Sequence, residues 1–358
     1  MRKSLFTEFK ESTAIARTDT ALATQLLRHY KTAELLPARR GLSRSTCVAL
    51  AWNIQQARVV FKDNPALIRG VISAGRGANA LAAWGDEQRH WIVVTAGLMT
   101  VLREAAERNA AHVLAAFPAA FASAPGRRLL VATPLQGFDT MLGALLYFGA
   151  MSFVASHELG HHLAGHGAYF NARDKRGGIS RTLRARWDVP HALEHQADAI
   201  GVGAALLSVS KLMHRFFSSA MLAPCQDKEQ QTLIAIVFTA GVLTMAARLV
   251  PDAAGITEAP STGHSPNLYR MIRIAAALMR PLRSLALLDD TVRKSIRLAC
   301  LEIVLGSPGQ VHDATREEPG ASRLRGMQSA LHDPAFHAYM HQVDAGFLLF
   351  KENLHTAP

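Results

Sequence analysis

Apolar positions recur at helical spacing along most of this chain, and only a few short stretches break the pattern. Residues 13–36 carry apolar side chains near every third and fourth position until Pro37, which predicts a helix. A basic stretch with Arg39, Arg40 and Arg44 reads as a loop, and Cys47 to Phe61 is again helix-like. Beyond Gly75 and Gly77, Asn79–Trp84 and His90–Thr95 read as short strands joined by a turn at Gly85, Asp86 and Glu87, a hairpin. Leu98 to Phe117 predicts a helix, and Leu129, Leu130 and Val131 a short strand. A long apolar helix then runs to near His166 and is followed by a loop over 167–190. Helices are expected over His191–Met221, Gln230–Leu249, most of Asn267–Leu305 and Ala335–Asn353. Pro251–Pro266 and Ser307–Arg323 read as polar connections.

This pattern predicts a mainly α protein with a small β-sheet, an α+β fold. No linker demands a cut. Residues 1–74 are expected to pack as a helical region on a core spanning 75–275, with 276–358 as a helical extension.

Composition refines the picture. With 358 residues, 49% of them apolar, the chain can bury a substantial core. Cys47, Cys225 and Cys300 are far apart and odd in number, so they suggest neither a disulfide framework nor a thiolate metal site. A reducing, cytoplasmic setting fits. Met1, Arg2 and Lys3 are followed by Glu8, Lys10 and Glu11 rather than by an apolar run, so no secretory signal is expected. Thr140–Ser156 and Gln230–Ala247 are uncharged over a length at the lower edge of a membrane span; the first, which runs into His157, reads more naturally as a buried helix, and the second is also plausible as core. The net charge of +11 suits acidic partners, an anionic membrane surface or nucleic acid, and equally a solvated basic surface with no specific partner. No nucleic-acid motif accompanies it, and aromatics that could stack bases are few, so specific nucleic-acid binding is not expected. The basic residues between Arg173 and Arg186 read as a solvated loop or a steering patch.

The chemistry concentrates at His157, Glu158, Leu159, Gly160 and His161. Residues four apart on a helix emerge from one face about 6 Å apart along its axis, so both imidazoles can bind one zinc ion. Glu158 lies one step round the helix, where it can take a proton from a zinc-acidified water and hand it to a departing amine. Zinc needs a third protein ligand. Glu194, 33 residues past His161 on a second predicted helix, supplies one, and Asp198, one turn on, is placed to orient a ligand histidine. His162, His166 and His195 are expected off the ligand face, as supporting residues behind it or on the surface, because helical rotation carries the first two away from it.

The His157–His161 helix followed by Glu194, His195, Gln196, Ala197 and Asp198 resembles the gluzincin metallopeptidases of the HtpX and CAAX-prenyl-protease type. Asn79-Ala80-Leu81-Ala82, then Thr95-Ala96-Gly97-Leu98, and His264-Ser265-Pro266 ahead of Arg270, match further elements of that pattern in order, with Ser265 where the family has proline. The likeness spans about residues 75–275, and a Lit-type phage-exclusion peptidase is a second relative by the same motif. The resemblance implies a zincin-like domain with its zinc site between two helices. It also implies a protein or peptide substrate, Glu194 as third ligand, and His264 approaching the site to stabilise an oxyanion. Under that reading Ile92–Thr95 is either an exposed edge strand on which an extended substrate pairs or an ordinary core strand. A zinc-holding regulator without turnover and a basic nucleic-acid-binding protein are the competing readings. A cytoplasmic location, with contact to a membrane surface, goes with the peptidase reading.

Overall fold

The computed structural model describes residues 4–37, 41–58, 67–166, 188–217, 227–249, 267–306, 332 and 334–354. His264, Cys225 and the basic residues 173–186 lie outside them.

The described chain is mainly helical with a small mixed sheet. Helices α1 (Leu5–Ala16), α2 (Thr20–Tyr30) and α3 (Leu42–Ala57) lead into strands β1 (Ile68–Ser73), β2 (Ala80–Trp84) and β3 (His90–Thr95). Helices α4 (Ala96–Ala116), α5 (Pro118–Ala122), α6 (Ala124–Leu130) and α7 (Met141–Leu163) follow. Beyond residue 187 come α8 (Asp188–Phe217), α9 (Lys228–Ala246), α10 (Asn267–Ala277), α11 (Met279–Leu282), α12 (Asp290–Gly306) and α13 (Pro334–Leu354).

Three expectations are corrected. The single helix over 13–36 is two, because Asp19 caps a new start by accepting a hydrogen bond from the Leu22 amide at 2.9 Å. Leu129 and Leu130 belong to helix α6, which Ser123 caps with Pro125 in its first turn. The sheet contains β1, which the pattern did not reveal: both its faces are covered, so its residues lack polar alternation.

The sheet order is β1-β3-β2, with β1 parallel and β2 antiparallel to β3. The central strand is therefore His90–Thr95: of its two readings the core strand holds and the exposed edge does not. The two strands cover it on both sides, and its run Trp91, Ile92, Val93, Val94 is buried throughout. Trp91 and Val93 pack with Leu22 and Leu26 of α2 on one face, while Ile92 and Val94 face the main core. The edge strand packed against α7, the helix that carries His157 and His161, is β2.

Helix α7 runs through the centre, packed against α3, α4, α8 and α9. Thr140 caps it, accepting from the Gly143 amide at 2.9 Å, and Glu107 in turn accepts from Thr140 Oγ1 at 3.0 Å. Helices α7 and α9 are long and apolar enough to cross a membrane. In this fold they are core helices: the most apolar window of α7 is wholly buried and that of α9 78% buried.

Candidate metal centre

One helix crossing, with two close contact points, sets up the site. Helix α8 lies so close to α7 that a Cβ on Gly160 would stand 3.0 Å from the Cα of Ala197, and one on Gly201 would stand 3.0 Å from the His157 amide nitrogen. Glycine at both contact points lets the backbones approach and carries Glu194 and Asp198 up to the two histidines. Both glycines sit in plain view in the sequence, but their role depends on which helix they face.

The side chains then converge. His157 and His161 present their Nε2 atoms to each other at 3.1 Å. Glu194 Oε2 stands 3.5 Å from His157 Nε2, and its Oε1 stands 3.5 Å from His161 Nε2. Zinc bonds of about 2.0–2.2 Å put tetrahedral ligand atoms about 3.3–3.6 Å apart; the two Glu194 contacts, made through different oxygens, fall in that range, and the edge between the imidazoles is slightly shorter. Glu158 also brings a carboxylate oxygen within 4.8 Å of both imidazoles. It comes from the same helix as the histidines, whereas Glu194 closes the triangle from the facing one. His157, Glu158 and His161 are all buried.

A second layer holds the first. His157 Nδ1 donates to Asp198 Oδ1 at 2.8 Å. Arg270 of α10 grips Asp198 with Nε at 2.8 Å from Oδ2 and Nη2 at 2.9 Å from Oδ1, and it reaches Glu194 Oε2 at 3.3 Å. Its Nη2 is almost equidistant from the two His157 ring nitrogens, 3.4 and 3.3 Å, so it is aimed at neither lone pair. The sequence pattern singled out Arg270 only as part of a resemblance. Its role as counter-ion emerges from the fold, which brings together residues more than seventy positions apart.

The electrostatics suit a cation. Burial works against a charge on Glu194, but Arg270, His161 and His157 hold its carboxyl well below the usual range. Asp198 is likewise held low against burial, by Arg270 and then His157. One guanidinium faces these two carboxylates, which leaves a demand for positive charge in a buried place. His157 answers it: burial opposes its charge, Asp198 and Glu194 outweigh that, and the imidazole is pushed up to about 10. His161 goes the other way, held at about 3 by burial despite Glu194. Burial, with Glu194 adding, pushes Glu158 up to about 7, while His157, Arg270 and the Ala82 backbone of β2 oppose the rise. Two neutral-capable imidazoles and an ionised carboxylate form a donor set that fits zinc.

The extra histidines lie off the ligand triangle, as expected, but helical rotation alone does not account for where His166 goes. Helix α7 ends at Leu163, and Gly165 adopts φ +71, a left-handed turn that folds the chain back under the helix. His166 is consequently fully buried, with its Nδ1 2.8 Å from His161 Nδ1 and its Nε2 2.8 Å from Gln196 Oε1. His162 is also buried and faces the sheet: its Nε2 donates to the Trp91 carbonyl at 3.1 Å, and its Nδ1 lies 3.0 Å from His90 Nδ1. His195 lies on the far side of α8, 3.4 Å from the Tyr339 hydroxyl of α13. Gly165 was the signal for His166; rotation continued past a helix end has no physical basis.

No protein-family model, curated protein or solved structure matches this chain.

Proposed function

We propose that this chain is a zinc metallopeptidase of gluzincin type, a zincin-like domain in which His157, His161 and Glu194 hold the ion and Glu158 acts as general base. The observation that supports this reading is the triangle of His157 Nε2, His161 Nε2 and the Glu194 carboxylate, with edges of 3.1, 3.5 and 3.5 Å drawn from two facing helices. A bound zinc ion supplies Lewis acidity, polarising a substrate carbonyl and acidifying a water. Glu158, pushed up to about 7, has the affinity to take a proton from water and return it to a leaving amine near neutral pH. Asp198 and Arg270 hold His157 and Glu194 in place. His264, outside the described residues, keeps the oxyanion role that the resemblance implies.

An extended peptide substrate has a place beside these groups. Pairing of β2 with β3 turns the backbone of Leu81 and Ala83 inward and that of Ala80, Ala82 and Trp84 outward. Gln25 of α2 takes up the Trp84 carbonyl at 2.6 Å, and Glu158 approaches at Ala82. The outward carbonyls of Ala80 and Ala82 are therefore the groups on which a substrate strand would pair, next to the general base. The reading carries with it a cytoplasmic setting with access to an anionic membrane surface.

Metal analysis of the purified protein, followed by cleavage of a peptide library by parent and Glu158→Gln protein, tests the proposal. Stoichiometric zinc with turnover that falls in the variant supports it. Stoichiometric zinc with no turnover by the parent favours a zinc-holding regulator, and absence of any transition metal sinks both.

A further inference from the structure

Donor and acceptor accounting around His166 points to something beyond the ligand set. Gln196 turns its carbonyl oxygen to His166 Nε2 at 2.8 Å, and that oxygen can only accept, so Nε2 carries a proton. A neutral His166 then has a bare Nδ1. That atom lies 2.8 Å from His161 Nδ1, and the contact has room for one proton, which must sit on His161. A neutral His161 protonated at Nδ1 has a bare Nε2, the atom 3.1 Å from His157 Nε2 and 3.5 Å from Glu194. Both rings are buried, which disfavours charging either of them.

We propose that His166 and Gln196 are positioning residues that fix the tautomer of His161, so that its Nε2 lone pair faces the ligand triangle before any metal arrives. The proposal rests on the metal reading of the site. The two histidine ligands are then oriented differently. His157 gives its Nδ1 proton to a carboxylate, Asp198, whereas His161 gives its own to a neutral imidazole. The relay also ties the helices together, since His161 lies on α7, His166 just past its end, and Gln196 on α8 two residues from Glu194. The left-handed Gly165 makes the arrangement reachable, because a continued helix would carry residue 166 away from His161.

The test reads proton position and metal affinity separately. Long-range proton–nitrogen correlation spectra of metal-free, histidine-labelled protein report the tautomer, with His161 assigned by its loss in His161→Gln. The expected result is a proton on Nδ1 of His161 in the parent and a mixture of tautomers in His166→Phe. Competition against a chromophoric chelator then measures zinc affinity, expected to fall about 10–100-fold in His166→Phe. His166→Asn should restore most of it, because the asparagine carbonyl can stand close to where Nδ1 stood. Gln196→Leu should lose less affinity and loosen the tautomer in the same direction, and it carries the test if His166→Phe fails to fold. Zinc binding by the parent with no weakening in the folded variants overturns the inference and leaves the metal site standing. A parent that binds no zinc removes the metal reading, and the tautomer spectra still decide the role of His166. A His161 proton found on Nε2 overturns it outright.

Discussion

Asp198 accepts a hydrogen bond from His157 Nδ1 at 2.8 Å while Arg270 grips both of its oxygens, so the carboxylate that orients one proposed histidine ligand is itself held in a fixed plane. Asp198→Asn keeps the shape and removes the charge. Its expected effect is a 10–100-fold weaker zinc affinity with the helical content unchanged. Chelator competition alongside circular dichroism checks it, and an unchanged affinity would show that the pair does no orienting.

Glu158→Gln keeps the size of the side chain and removes its capacity to take a proton. Turnover should fall about 10²–10⁴-fold while bound zinc stays at the parental level. Measuring kcat and metal content on one preparation separates this from a ligand role. A variant that loses its zinc would make Glu158 a ligand instead.

Glu194→Ala leaves the two α7 imidazoles without the carboxylate that stands 3.5 Å from each. Zinc should be lost on dialysis against a weak chelator, read by elemental analysis. Retention of a full equivalent would mean that the third ligand lies elsewhere.

Zinc loading should release protons. In the metal-free protein His157, pushed up to about 10, is protonated at pH 7, and Glu158, at about 7, is about half protonated. His161, held at about 3, and Glu194, held well below its usual range, have none to give. Ligation needs a bare His157 Nε2, so binding at pH 7 should expel between one and two protons, and affinity should rise at least about tenfold per pH unit from 7 to 9. Calorimetry in two buffers of different ionisation enthalpy counts the protons, and a count near zero contradicts the charge assignment.

Gly201→Val would set a branched side chain against the His157 backbone, where even a Cβ stands 3.0–3.3 Å from its nearest neighbours. The expected cost is about 1–3 kcal/mol in denaturant unfolding, with weaker zinc binding as α8 is pushed away from α7. Gly203→Val on the same helix, where nothing lies within 4 Å, should cost less and leave zinc affinity unchanged. Equal behaviour of the two variants would remove the crossing from the account of the site.

Local pattern was enough to determine the α7 and α8 helices, the β2–β3 hairpin and the placing of His157, Glu158 and His161 on one element. These follow from spacing along a regular helix or strand, which a linear chain displays directly. The sequence also marked Glu194 and Asp198 as a pair four residues apart on a second helix. Only the tertiary structure decided that Glu194 meets both imidazoles, because that depends on how closely two helices pack at Gly160 and Gly201. It alone brought Arg270 to the two carboxylates, made β3 the central strand, and folded His166 back beneath His161. Each of these is a relation between segments separated in sequence, or past the end of a regular element, where the periodicity that makes a sequence readable no longer applies.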